Sequence, residues 1–267
     1  MSVHYVSLKG FRPTNEDAHN IILGRCKKNT ETANVDYYGI YDGHGGNFVS
    51  KFLSENIYQY FTQKGVSYPL ELDYINKVYD KIQQKLIDEH KDEAFNCGAT
   101  CLVVCQYKVN NRDYLDILNT GDSRAVLCRN NIGITLNLEH KPENPVEKRR
   151  IKKLGGVIRK DGEVFRISDL SVSRAFGDIS GNKFISHKPD YYNYKLHKND
   201  KFIIIACDGL WDVFDSQNAV NFVLNNYYDE NMKRIKTEVN IARKIAEHAI
   251  RNLHSGDNVS CIIIFFD

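Results

Sequence analysis

The sequence predicts an α+β fold, a central antiparallel β-sandwich of two sheets with antiparallel helix pairs packed outside it. Three observations carry this. Strand-like segments follow one another without intervening helices, which favours antiparallel sheets. Helical periodicity falls in two groups, each of two helices joined by a short polar linker. The late strands FIIIAC and CIIIFF are apolar throughout, as expected of strands covered on both faces.

The elements can be taken in order. Ala18–Leu23 and Asp36–Tyr41 read as strands. Phe48, Val49, Phe52, Leu53, Ile57 and Phe61 then recur at helical spacing after Gly45–Gly46. Ile75, Val78, Tyr79, Ile82 and Leu86 do the same across the next stretch. Thr100–Tyr107 and Tyr114–Asn119 are strand-like and flank Asn110–Asn111, a hairpin-turn signal. Ser123–Cys128 is the next strand, and a helix is expected near Pro145–Leu154. Lys201–Cys207 precedes the second helical group. In that group Ala219, Val220, Val223 and Leu224 form one pattern. Val239, Ala242, Ile245, Ala246, Ala249, Ile250 and Leu253 form the other. Val259–Phe266 is the last strand.

At 267 residues and 42% hydrophobic, the chain can bury one sizeable core. No Gly, Ser or Pro run splits it and no repeat stands out, so a single domain over residues 1–267 is expected. The formal charge of +2 is too near balance to imply nucleic acid. No apolar run approaches the ~20 residues of a membrane helix. The start, MSVHYVSLKG, has no apolar signal region, and Ser2 stands where myristoylation needs Gly. A cytoplasmic or nuclear monomer is the expectation. The seven cysteines are Cys26, Cys97, Cys101, Cys105, Cys128, Cys207 and Cys261. Their odd count and spacing argue against a disulfide framework or zinc site and for buried thiols. The run EKRRIKK at Glu147–Lys153 reads as a solvated helix face, or as a patch steering an acidic or phosphorylated partner.

Acidic residues at strand ends carry the chemistry. Asp42 ends YYGIYD before Gly43-His44-Gly45-Gly46. Asp208 ends FIIIAC before Gly209. Asp122 follows YLDILNT, and Asp257 precedes the final strand. Taken singly, Asp before Gly is a common turn pair. Converging carboxylates would repel one another, and a hard divalent cation relieves that repulsion. Oxygen donors suit Mg²⁺ or Mn²⁺. In RPTNED, Arg12 with Glu16 and Asp17 is either a surface ion pair or a guanidinium that grips phosphate. His44, beside glycines, is a plain loop residue, a ligand or an acid.

These segments together resemble the type 2C, or PPM, family of metal-dependent protein phosphatases. The likeness runs in order through RPTNED, YDGHGG, CGATCLV, NTGDSRAVL, EHKPENPVEKRRIKKLGG, LSVSRAFGD, IIACDGLWDV and SGDNVSCIII. The resemblance implies hydrolysis of phosphoserine and phosphothreonine in proteins. It assigns Asp42 as the bridge between two metal ions, with the Gly43 carbonyl, Asp208 and Asp257 as further ligands. Glu16 and Asp17 act through metal-bound water, and Asp122 shares a weaker third ion with Asp208. Arg12 binds phosphate and His44 is the general acid. Two such metals, roughly 3.5–4 Å apart, can neutralise the phosphate and activate water for in-line attack. The chain departs from the family at Ser168-Asp169, where Asn-Gly is common, beside the mobile flap, and at Glu139 in place of Asp. A pseudophosphatase that binds without turnover and an unrelated metal-dependent hydrolase of nucleic acid or nucleotides are the competing readings.

Overall fold

The computed structural model describes residues 2–24, 34–180, 183–235 and 238–266, so Cys26 lies outside the described residues. The chain opens with β1 (Ser2–Leu8), β2 (Ala18–Leu23), β3 (Val35–Tyr41) and the short β4 (Gly43–His44). Helices α1 (Phe48–Thr62) and α2 (Leu72–Glu89) follow. Next come β5 (Gly98–Ala99), β6 (Cys101–Val109), β7 (Arg112–Thr120), β8 (Arg124–Arg129) and β9 (Ile132–Thr135). Then come α3 (Pro145–Lys153), β10 (Arg159–Asp161), β11 (Val164–Arg166) and β12 (Phe176–Gly177). The last part holds β13 (Asp190–Lys195), β14 (Asp200–Ala206), α4 (Asp208–Trp211), α5 (Ser216–Tyr227), α6 (Ile241–Arg251) and β15 (Val259–Phe265).

Two five-stranded sheets dominate, one ordered β1-β15-β14-β8-β9 and the other β13-β7-β6-β3-β2. Every ladder between named strands is antiparallel. The alternation of side chains along a strand makes three apolar layers from these two sheets. Between the sheets lie Tyr38, Ile40, Leu102, Val104, Ile203, Ile205, Ile262 and Ile264. The alternate residues Tyr37, Tyr41, Cys101, Val103 and Cys105 face α1 and α2. On the other outer face Phe202, Ile204, Cys261, Ile263 and Phe265 pack under α5 and α6. Burial on both faces is why FIIIAC and CIIIFF show no polar alternation.

The expected strands and helices form, with ends shifted by a few residues. Asn110 and Asn111 adopt φ of 49° and 60°, the left-handed geometry of a tight hairpin. Strands β1, β4, β5 and β9 to β13, and the single-turn α4, go beyond the elements expected from the sequence. The last helical pattern is too long in the sequence reading. Asn240 caps α6 by accepting from the Arg243 amide at 3.0 Å, so Val239 precedes the helix and Leu253 follows it. The six described cysteines are free and buried, as read from their spacing. Among the described residues no helix is long and apolar enough to cross a membrane.

The basic run needs a correction. It is not uniformly a solvated face. Glu147 is buried, accepts from Arg150 at 2.8 and 3.0 Å, and accepts from Arg174 at 2.7 Å. Arg174 in turn donates to Asp190 at 2.8 Å. Lys148, Arg149, Lys152 and Lys153 remain exposed.

Candidate metal centre

The acidic residues converge where the two sheets meet at one end. Asp42 follows β3 of one sheet. Its amide donates to Thr100 Oγ1 at 3.2 Å, and its carbonyl accepts from the Thr100 amide at 2.9 Å. Asp122 sits on the connection from β7 to β8, where the chain crosses between sheets. Asp208 and Asp257 come from the other sheet. Asp208 opens the single-turn α4, and Asp257 precedes β15. Gly209 is required there, because a Cβ would strike the Asn258 carbonyl. Gly43 is required for the same reason, since a Cβ would strike the Glu16 carbonyl.

Carboxylate oxygens of Asp42, Asp122 and Asp208 lie within 4.8 Å of one another, and Asp17, Asp42 and Cys207 form a second such group. Asp17 therefore stands inside the cluster. Asp257 is at the rim. Its Oδ2 accepts from Arg12 Nη2 at 2.7 Å, while Arg12 Nε donates to the Gly256 carbonyl at 3.1 Å. Glu16 and Gly43 also line the cleft, which holds about 330 Å³.

The electrostatics follow from crowding like charges out of water. Burial pushes Asp17 up to about 7, reinforced by Asp208 and Asp257 and opposed by hydrogen bonds from Ser260 and Cys207. Burial pushes Asp208 up to about 6, reinforced by Asp212 and Asp257. Burial and the charge of Asp208 raise both Asp42 and Asp122 well above the usual carboxylate range. Asp17 Oδ1 and Asp122 Oδ1 are buried without a hydrogen-bond partner. Orphaned oxygens among crowded carboxylates fit a cation, which supplies both the missing partner and the missing charge. The set is one of oxygen donors. Burial and the charges of Asp17 and Asp42 raise the Cys207 thiol well above its ordinary value, and its Sγ donates to Asp17 Oδ2 at 3.4 Å.

His44 Nε2 lies 2.9 Å from Asp178 Oδ2, and Asp178 is otherwise almost buried. Asp178 ends the SRAFGD segment and was not singled out in the sequence. Asn258 was also missed. Its amide nitrogen donates to the carbonyls of Lys9 and Thr14, at 2.8 and 2.9 Å, and its Oδ1 accepts from the Glu16 amide at 2.8 Å. It thus ties the Arg12–Asp17 loop to Asp257. Both residues stood in quoted motifs, and only their long-range partners were hidden. Across the cleft, Arg166, Asp169 and Leu170 form the opposite lip. Ser168 and Asp169 hold φ of 47° and 70°, a conformation that Asn-Gly adopts with less strain.

A sandwich with clustered, metal-fitting carboxylates beside an arginine and a histidine defines a hydrolase of phosphate esters. The protein phosphatase 2C family model matches residues 1–259. A PP2C-like domain-containing protein of Acanthamoeba polyphaga mimivirus is 42% identical over 59% of this chain and 97% of its own length. The human integrin-linked kinase-associated serine/threonine phosphatase 2C is 34% identical over 96% of this chain and 70% of its own. Among solved structures, a C. elegans sex determining protein superposes with a TM-score of 0.84 at 24% identity, over 100% of this chain and 65% of that one. A phosphatase from Toxoplasma gondii superposes with a TM-score of 0.81 at 21% identity, over 98% of this chain and 92% of that one. The chain belongs to the protein phosphatase 2C family and is a protein serine/threonine phosphatase.

Proposed function

We propose that the chain is an active, metal-dependent phosphatase of phosphoserine and phosphothreonine in proteins, and not a pseudophosphatase. The observation that carries this is the convergence of Asp42, Asp122, Asp208 and Asp17, with two buried carboxylate oxygens lacking partners. Asp42 would bridge two ions, Mg²⁺ or Mn²⁺. Asp208, Asp257, Glu16, Asp17 and the Gly43 carbonyl would complete their shells, and Asp122 with Asp208 would hold a weaker third. When bound, these cations neutralise the phosphate and supply an activated water.

The remaining chemistry belongs to side chains. Arg12 orients the phosphoryl group through its paired N–H donors. Asp178, which can only accept, fixes a proton on His44 Nε2 and leaves Nδ1 to exchange a proton with the departing serine or threonine oxygen. Thr100 and Asn258 hold Asp42 and the Arg12 loop in place. The single catalytic domain acts as a cytoplasmic or nuclear monomer on phosphorylated proteins.

The test is phosphate release from phosphothreonine peptides with Mg²⁺ or Mn²⁺, beside EDTA-treated protein and Asp208→Asn. Release only with added metal, abolished in the variant, is expected. Saturating metal should also raise Tm by about 5–10 °C at roughly a hundredfold its Kd, and Asp208→Asn should remove most of that shift. Metal binding without turnover would make the protein a pseudophosphatase. Turnover unaffected by EDTA would defeat the metal reading.

A further inference from the structure

The cleft floor is acidic, yet the chain's positive charge is gathered beside it. Between Lys148 and Arg166 there are eight Lys and Arg against two Asp and Glu, a net of +6 in a chain whose total is +2. The rest of the chain is therefore net negative, and this stretch stands out in the field of the protein. Arg150 is held by Glu147. Lys148, Arg149, Lys152, Lys153 and Arg159 are exposed, and none is paired with a carboxylate among the described residues. Lys160 lies 3.4 Å from the exposed Glu163 carboxylate and over the Phe165 ring, and such a surface ion pair is displaced by a ligand at little cost.

These residues surround a shape. A second groove of about 510 Å³ is lined by Val157, Arg159, Lys160, Arg166, Asp169 and Phe184, with others. Arg166 and Asp169 also line the catalytic cleft, so the two depressions adjoin. Arg166 is the shared wall. It donates from Nη1 to the Asp169 carbonyl at 2.8 Å and from Nε to Asp161 at 3.2 Å. Arg159 and Lys160 are left to meet a ligand, with Val157 and Phe184 as apolar sides. A polyanion tracking along the surface would run into the acidic cleft, whereas a short peptide places one anion in the groove.

We propose that this groove is a specificity subsite that binds an anionic side chain of the substrate, carboxylate or phosphate, a few residues from the phosphoresidue in the cleft. It rests on the phosphatase reading above. Lys152 and Lys153, at the end of α3, strengthen the attraction at longer range.

The experiment compares wild type with Arg159→Ala/Lys160→Ala. The substrates are one phosphothreonine peptide with neutral, Asp/Glu, phosphoserine or Lys flanks, and p-nitrophenyl phosphate. Wild type should show a kcat/KM about tenfold higher on an anionic flank than on a neutral one, carried by KM. The ranking of the two anionic flanks tells carboxylate from phosphate. The double variant should lose this preference, with the neutral peptide and p-nitrophenyl phosphate unchanged within about twofold. Arg159→Glu/Lys160→Glu should transfer the preference to the Lys-flanked peptide. A flat peptide profile with normal p-nitrophenyl phosphate turnover overturns the subsite alone. So does an equal loss on all substrates, or patch-dependent binding to RNA or phosphatidylserine vesicles without peptide preference. Failure to turn over any substrate with metal defeats the phosphatase reading, and the subsite with it.

Discussion

Arg12 Nη2 lies 2.7 Å from Asp257 Oδ2, pairing a guanidinium at the lip of the cleft with a carboxylate at the rim of the acidic cluster. Both ends are partly exposed, so the pair is exchanged at small cost. A cation held by Asp257 would leave Arg12 free for an incoming phosphate. Arg12→Ala is expected to lower kcat/KM on phosphopeptides by about 10- to 100-fold without weakening metal binding by calorimetry. A weakened metal site in that variant would mean that Arg12 organises Asp257 and does not compete for it.

The His44–Asp178 pair makes a prediction about leaving groups. His44→Ala should slow phosphopeptide hydrolysis by about 10²–10⁴-fold, and p-nitrophenyl phosphate, whose leaving group needs no proton, far less. Asp178→Asn should show the same asymmetry at smaller size, because the ring is kept and only its orientation is loosened. Equal losses on both substrates would remove His44 from the role of acid.

Acid stability should be set by the network behind the cleft. Against the burial that would raise it, hydrogen bonds and charge from Arg174 and Arg150 hold Glu147 down at about 2. His140 and Arg174 likewise hold Asp190 at about 2. Both groups are depressed in the folded state. Their stabilisation is therefore complete above the ordinary carboxylate range and is lost as pH falls from about 4.5 towards 2. Glu147→Gln should cost about 1–3 kcal/mol at neutral pH, because Arg174 loses one of its two carboxylate partners and keeps Asp190, and should flatten this acid limb in denaturation measured against pH.

Ser168 and Asp169, at φ of 47° and 70°, hold the lip of the cleft in a left-handed turn. Asp169→Gly, or Ser168→Asn with it, should stabilise the protein by about 1 kcal/mol, read as a rise in Tm of about 2–4 °C. A fall in Tm would mean that these side chains support the turn.

Much of this was legible in the sequence, for physical reasons. Strands β3, β6, β14 and β15 are buried on both faces, so their apolar runs stand out. Strand β13, DYYNYK, is half-polar and owes its existence to its ladder with β7, which no local pattern reveals. Strand β9, IGIT, is short and exposed. The strand-end aspartates announced a shared site, because carboxylates beside apolar strands and glycines must face something. That Asp17 enters the cluster while Asp257 turns to Arg12 depends on contacts across some 240 residues, such as that of Asn258 with Glu16. Local charge also misled. Arg150 sits in a basic run yet points inward, because its partner Glu147 is buried.

The acidic cluster draws Asp42 from one sheet, Asp208 and Asp257 from the other, and Asp122 from the strap between them. Bound cations would thus act as rivets through two plates. Stripped of them, the same edge would have to take up protons or leave like charges crowded between the plates. The layer of Ile203, Ile205, Ile262 and Ile264 holds the two plates together beside that edge. Grip on metal and tightness of the inter-sheet core are in this sense one mechanical property, and loosening either should be felt in the other.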